Sequence, residues 1–166
     1  MRETKIKDSL KNLLDQAQLI VQTGDHKGFK DYDLFLNEVQ KLNEDKRKRV
    51  HITKYVNKEE IGYVFKNIDL FVGRAGANTV YEIGVFKIPS IFIPIPWVTH
   101  NEQFENAKIL KDLGLSEIIN EGELTPEKLT LSIQRATKRH YDLDARKLQE
   151  IFVIDASEKI LDQIFI

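Results

Sequence analysis

Cysteine is absent from all 166 residues. Its absence removes disulfides, thiolate nucleophiles and Cys-ligated zinc together, and fits a reducing compartment. Proline and glycine are scarce, at four and eight residues, too few for a fibrous or low-complexity chain. Neither sign of charge dominates, since 25 Lys and Arg face 26 Asp and Glu for a net charge of −1. No basic field exists to hold a polyphosphate backbone, so nucleic acid is not an expected partner. The longest apolar run, residues 91–98, has eight residues and two prolines, whereas a bilayer span needs about 20 apolar residues. The start, Met1-Arg2-Glu3-Thr4-Lys5, is polar and mixed in charge, unlike a signal peptide. These absences point to a soluble, cytoplasmic chain.

What is present suits a globular fold. A composition of 42% hydrophobic and 31% charged residues is wrong for disorder. The length corresponds to one domain, residues 1–166, able to bury roughly 70% of its unfolded-chain surface. Short apolar runs alternate with longer amphipathic stretches. Leu10, Leu13, Leu14 and Ala17 have helical spacing, and residues 18–22 read as a buried strand ending at Thr23-Gly24. Leu34, Phe35, Val39 and Leu42 mark a second helix, and the charged stretch 44–49 reads as a solvated helix end. Strands are expected at 50–53, 68–72, 89–94 and 116–119. Helices are expected at 58–66, 78–86, 100–113, 125–138, 142–150 and 155–164. Thr125-Pro126-Glu127 carries the signals of a helix start, and Gly114 those of a stop.

Strand–helix alternation with apolar strands predicts an α/β fold, a Rossmann-like parallel sheet with helices on both faces. In such sheets ligands bind beyond the carboxyl ends of the strands. The residues after the third strand, Gly73-Arg74-Ala75-Gly76-Ala77-Asn78-Thr79, are the most informative. Small residues let the backbone approach a ligand, and a helix N-terminus offers unpaired N–H groups and partial positive charge, which suit a phosphate. Thr79 adds a hydroxyl and Arg74 a charge. A strand-to-helix turn also needs glycine for sterics alone, and the P-loop Gly-Lys-Ser/Thr is missing. Glu82, one turn beyond Thr79, could accept bonds from ribose hydroxyls or be a solvated helix residue. The stretch Pro94-Ile95-Pro96-Trp97-Val98-Thr99-His100-Asn101-Glu102-Gln103 sets polar side chains suited to sugar hydroxyls at a helix start. Its bland reading is helix capping by Thr99 or Asn101. The four histidines, His26, His51, His100 and His140, lack metal-ligand spacing, so no metal is expected.

Taken together, Val72-Gly73-Arg74-Ala75-Gly76-Ala77-Asn78-Thr79-Val80-Tyr81-Glu82-Ile83, Ile88-Pro89, Ile93-Pro94 and Asn101-Glu102-Gln103-Phe104-Glu105-Asn106-Ala107 resemble the donor-binding half of the MurG family. These are UDP-N-acetylglucosamine transferases of glycosyltransferase family 28 with the two-domain GT-B fold. The two blocks sit at the separation the family shows, and weaker similarity runs from about residue 19 to the end. The resemblance implies one half of a GT-B fold lacking its first strand, its Gly-rich loop and the preceding acceptor domain. It implies a diphosphate loop of Arg74, Gly76, Ala77, Asn78 and Thr79, with ribose held by Glu82. It places Glu102 and Gln103 at the N-acetylglucosamine hydroxyls and the Val56 backbone at uracil. Glu102 stands where the family usually has Gln. No catalytic base is assigned, and no metal or other cofactor is required.

The implied activity is N-acetylglucosamine transfer to a lipid-linked peptidoglycan precursor, by an enzyme peripheral on the inner face of the cytoplasmic membrane. The implied partners are a UDP-sugar and a lipid-linked acceptor held by a missing or separate N-terminal domain. Two other readings fit the same residues. One is a soluble donor-binding subunit of a split glycosyltransferase that docks on a membrane partner. The other is a non-catalytic interaction module with a decayed nucleotide site, whose bare sheet edge predicts self-association.

Overall fold

A computed structural model describes residues 9–25, 30–97, 99–141 and 145–153. The expected helix at 155–164 and the turn histidine His26 lie outside the described residues. The chain divides into two compact units, Met1–Val64 with Glu123–Gln134, and Phe65–Gly122 with Arg135–Ile166. Strands pair in parallel throughout, as the α/β reading requires.

In the first unit β1 (Leu19–Gln22) pairs with β2 (Val50–Thr53), Leu19 opposite Val50 and Gln22 opposite Thr53. One face of this pair, Leu19, Val21, Val50 and Ile52, packs against Leu10, Leu14 and Phe35 with Val39 and Leu42. Successive strand residues point to opposite faces, so Ile20 is turned outward and is 51% exposed. The sequence reading of 18–22 as a buried strand is therefore corrected: β1 is buried on one face only. Helix α1 covers residues 9–13 and α2 covers Asp31–Gln40. The charged run becomes a short helix, α3 (Glu44–Arg47), capped by Asn43, whose Oδ1 accepts from the Lys46 N–H at 3.0 Å. Lys46 and Lys48 pair with Asp15 and Glu44, a solvated charged face as expected.

Helix α4 (Lys58–Asn67) leads into the second unit. There β3 (Phe71–Gly73), β4 (Ser90–Phe92) and β5 (Ser116–Ile118) form one parallel sheet in that order. Helices α5 (Ala77–Phe86) and α6 (Glu102–Asp112) are the crossovers. Ile83, Ile91, Phe92, Leu110, Leu115 and Ile119 are almost wholly buried. The strand expected at 68–72 begins three residues later, because α4 ends only at Asn67 and the first bond between β3 and β4 is Phe71 N–H to the Pro89 carbonyl, at 2.9 Å. A Cβ on Gly73 would lie 2.6 Å from the Phe71 ring, a ring that also contacts Phe65 and Phe92. Glycine is what lets the chain leave β3 beneath this aromatic cluster.

The two crossover helices end in the same way. In α6 the Leu115 N–H bonds back to the Leu110 carbonyl and the Gly114 N–H to Lys111, with Gly114 at φ 77°. In α5 Ile88 bonds to Ile83 and Lys87 to Gly84, with Lys87 at φ 56°. Both are Schellman stops, each delivering the chain directly into a strand. Gly114 announces its stop in the sequence; the lysine at the α5 stop does not. Helices α7 (Pro126–Lys138) and α8 (Ala145–Ile151) follow. Thr125 caps α7, accepting from the Lys128 N–H at 3.1 Å, as its sequence signals predict.

Candidate functional site

Beyond β3 the chain turns through Arg74 and Ala75 into α5, whose N-cap is Gly76 in extended conformation. Glycine brings no side chain to the cap. Space beside Gly76 is open, since an added Cβ would meet nothing within 4 Å. The first turns of α2, α3, α4, α6 and α7 carry acids, whereas those of α5 and the short α8 carry none. Among the described residues no acid of the α5 first turn and no cap side chain compensates its N–H groups and positive dipole end, the arrangement that accepts an anion.

Ala77 and Asn78 are exposed in this first turn, Thr79 is half-buried, and Glu82 is half-buried one turn further. Neither the Thr79 hydroxyl nor the Glu82 carboxylate makes a hydrogen bond or ion pair among the described residues. Arg74 is differently placed. Its guanidinium donates to the Ile93 carbonyl at 2.6 Å and to Glu121 Oε1 at 3.3 Å. Two of its nitrogens therefore tie the loop to the end of β4 and to a mostly buried carboxylate, 12% exposed.

The second block of polar residues meets the first through its side chains. Asn106 of α6 donates its amide N–H to the Ala75 carbonyl at 3.2 Å, and Ala75 is fully buried. Gln103 Oε1 accepts from the Ile95 N–H at 3.0 Å, fixing the loop after β4. The Gln103 amide N–H groups have no partner among the described residues and remain as donors. Glu102 is exposed in the first turn of α6. Helix α6 does not start as a simple capped helix. His100 and Asn101 both have left-handed φ, 55° and 56°, and Asn101 forms no side-chain cap. Capping by Asn101 is therefore set aside, and the turn is held in a conformation that costs a non-glycine residue free energy.

Val56 belongs to the first unit. It is half-buried, and its N–H donates to Gln22 Oε1 at 2.9 Å. Nearby, Lys54 pairs with Asp25 at 3.0 Å, and the Tyr55 hydroxyl accepts from the Asp25 N–H. The hydrogen bond and charge of Asp25 hold the Lys54 ammonium above its ordinary pKa. Asn106, Glu121 and Gln22 were not assigned roles from the sequence. Asn106 stands inside the second block and could have been flagged by it, whereas Gln22 and Glu121 carry no local pattern.

The sequence profile of the glycosyltransferase family 28 C-terminal domain matches residues 3–162. The chain belongs to this family. Similar proteins include the UDP-N-acetylglucosamine–N-acetylmuramyl-(pentapeptide) pyrophosphoryl-undecaprenol N-acetylglucosamine transferases of Myxococcus xanthus and a Sulfurihydrogenibium species. The first is 34% identical over 139 residues, covering 84% of this chain and 33% of that protein. The second is 32% identical over 114 residues, covering 69% and 33%. Among solved structures, Acinetobacter baumannii MurG aligns with a TM-score of 0.69 over 98% of this chain and 45% of its own, at 23% identity. That likeness places the fold with the GT-B glycosyltransferases. The chain spans 33% of the length of these two curated relatives. No described helix is long and apolar enough to cross a membrane.

Proposed function

We propose that this family 28 domain binds the donor of an N-acetylglucosaminyl transfer, UDP-N-acetylglucosamine, for delivery to a lipid-linked acceptor such as the one the curated relatives' names specify. The observation that carries this reading is the α5 N-terminus: it has a glycine cap, no side-chain cap and no acid in its first turn. A diphosphate set there would accept bonds from the N–H groups at Ala77, Asn78 and Thr79 and from the Thr79 hydroxyl. Glu82 would accept bonds from the ribose hydroxyls, being half-buried and unbonded among the described residues. The Gln103 amide N–H groups, with Glu102 beside them, would meet the sugar hydroxyls.

Transfer would proceed by attack of an acceptor hydroxyl on the anomeric carbon. The bond from that carbon to the diphosphate oxygen breaks, UDP leaves with the electron pair, and the hydroxyl proton passes to a base. Charge gathers on the departing diphosphate, and fixed N–H dipoles can stabilise it without a metal ion. No residue of this chain is assigned as the base or to the acceptor. An enzyme of this kind would work at the inner face of the cytoplasmic membrane.

The test is calorimetric titration of the chain with UDP, UDP-N-acetylglucosamine and ADP, beside Glu82→Ala. Selective binding of the uridine nucleotides, weakened about three- to tenfold in the variant by loss of one hydrogen-bonding carboxylate, is the expected result. Equal indifference to all three nucleotides by folded protein would refute the donor-site reading.

A further inference from the structure

We propose that the free edge of β1 is a self-pairing surface, on which a second copy of this chain lays its own β1 antiparallel about a two-fold axis at Ile20. In the first unit β1 bonds to β2 alone among the described residues. The Leu19 N–H goes to the Arg49 carbonyl at 2.8 Å and the Thr23 N–H to the Thr53 carbonyl at 3.0 Å. In a parallel ladder alternate residues bond to the same neighbour, so the N–H and C=O groups of Gln18, Ile20 and Gln22 point to the other edge. Parallel strands ordinarily lie in sheets covered on both faces. Here Leu19 and Val21 pack against Leu10, Leu14 and Phe35, whereas Ile20 is 51% exposed and Gln18 and Gln22 are exposed too.

The charge pattern selects the occupant. Natural sheet edges are guarded against self-pairing by charged residues, among other devices. Arg49 and Lys54 flank β2, Arg74 follows β3, and Glu117 lies within β5. No charge guards β1. Gln18-Leu19-Ile20-Val21-Gln22-Thr23 is uncharged, free of proline and glycine, and rich in strand formers, the composition that pairs with itself. It is also nearly palindromic. An antiparallel partner centred on Ile20 sets Ile20 opposite Ile20 of the second copy, a pair that exchanges both backbone bonds, and Gln18 opposite Gln22 of the second copy. Residues directly opposite share a face, so Leu19 and Val21 stay over the core while the isoleucines and glutamines meet on the open side. No like charges meet there, and each glutamine amide both donates and accepts. The pairing uses up the edge of each copy, so the assembly closes as a dimer. Self-association, expected of a bare sheet edge, is thereby given one strand, one register and one symmetry.

Sedimentation velocity of the full chain over a range of concentrations is the test, beside Ile20→Lys and the conservative Ile20→Val, with thermal melts confirming that all fold. One short strand per copy makes a small interface, so the wild type should pass reversibly from monomer to dimer as concentration rises. Two lysines set directly opposite should weaken dimerisation about tenfold, and valine should change it little. Because the chain has no cysteine, cross-linking supplies a second measurement. In Ile20→Cys the two thiols would stand on Cα atoms about 5.5 Å apart, within disulfide reach, and oxidised glutathione should link the dimer. Leu34→Cys, at an exposed position of α2, should stay largely unlinked. A monomer at every concentration, a dimer indifferent to Ile20→Lys, a principal species larger than a dimer, or linking no faster at residue 20 than at residue 34 overturns the inference. None of these outcomes touches the donor-site reading, on which the inference does not rest.

Discussion

Replacing Asn106 by alanine tests whether the loop before α5, the proposed diphosphate loop, is held from α6. The Asn106 amide is the donor to the Ala75 carbonyl at 3.2 Å, and Ala75 has no exposed surface. Without that donor the carbonyl is left buried and unbonded. An orphaned buried acceptor costs about 1–3 kcal/mol, which for a chain of this size lowers the melting temperature by roughly 2–4 °C per kcal/mol. Asn106→Asp should do at least as much harm at neutral pH. It has no N–H, and its carboxylate would face the carbonyl oxygen. That carboxylate prefers its protonated form in the folded state, so its folded pKa lies above the ordinary value of about 4. Stability of the Asp variant should therefore recover as the pH falls through that folded pKa, while the Ala variant shows no such recovery. The functional readout is the ratio of UMP to UDP dissociation constants. Displacing the loop should shrink what the second phosphate contributes, and the ratio should fall several-fold in both variants. Urea unfolding across pH and calorimetry provide the two measurements. A neutral-pH Asp variant as stable as wild type, or an unchanged phosphate ratio in both variants, would refute the positioning role.

Lys87→Gly should stabilise the chain. Lysine at φ 56° bears a left-handed cost of roughly 1–2 kcal/mol, of which glycine's greater unfolded freedom returns about 0.5–1 kcal/mol. A net gain of about 0.5–1 kcal/mol is therefore expected in urea unfolding, and a lower midpoint would contradict the Schellman assignment. The Lys54 ammonium, raised by its bond and charge contact with Asp25, should titrate above a free lysine in NMR of its Nζ group. Because the folded value is the higher one, the pair's contribution is present at neutral pH and is lost as pH rises through it. Asp25→Asn should bring the titration back down.

The sequence made the order of elements legible because that order rests on period and punctuation. Thr125-Pro126 and Gly114 mark ends by chemistry that operates within four residues, and both ends stand where they were expected. Beginnings of strands were less legible. Ile68 and Leu70 are as apolar as Phe71, yet pairing starts only where a neighbouring strand presents its carbonyl. Ile20 lay in an unbroken apolar run, and nothing local told which face of β1 has a helix over it. Lys87 ends a helix without glycine because Ile88 and Ile83 close the stop from outside the left-handed residue. The site divides in the same way. The cap glycine and the small residues around it can be read locally, but the groups that tie the loop down, the Ile93 carbonyl, the Glu121 carboxylate and the Asn106 amide, lie 19 to 47 positions away.

That division bears on how an anion would be held. A positive side chain beside a phosphate loop invites the reading that it binds the phosphate. In this loop the charge of Arg74 is met by Glu121 and its fork by the Ile93 carbonyl. The pair sits partly buried, so breaking it would take the Arg74 charge from a carboxylate that is only 12% exposed, a costly exchange for one contact to a ligand. What remains for the anion is the helix end itself, whose dipole contributes about 0.3–1 kcal/mol at an exposed site, together with directed N–H bonds. Such a site discriminates by the placement of donors more than by net charge. That fits a protein of net charge −1, and it assigns Arg74 to shaping the loop that presents those donors.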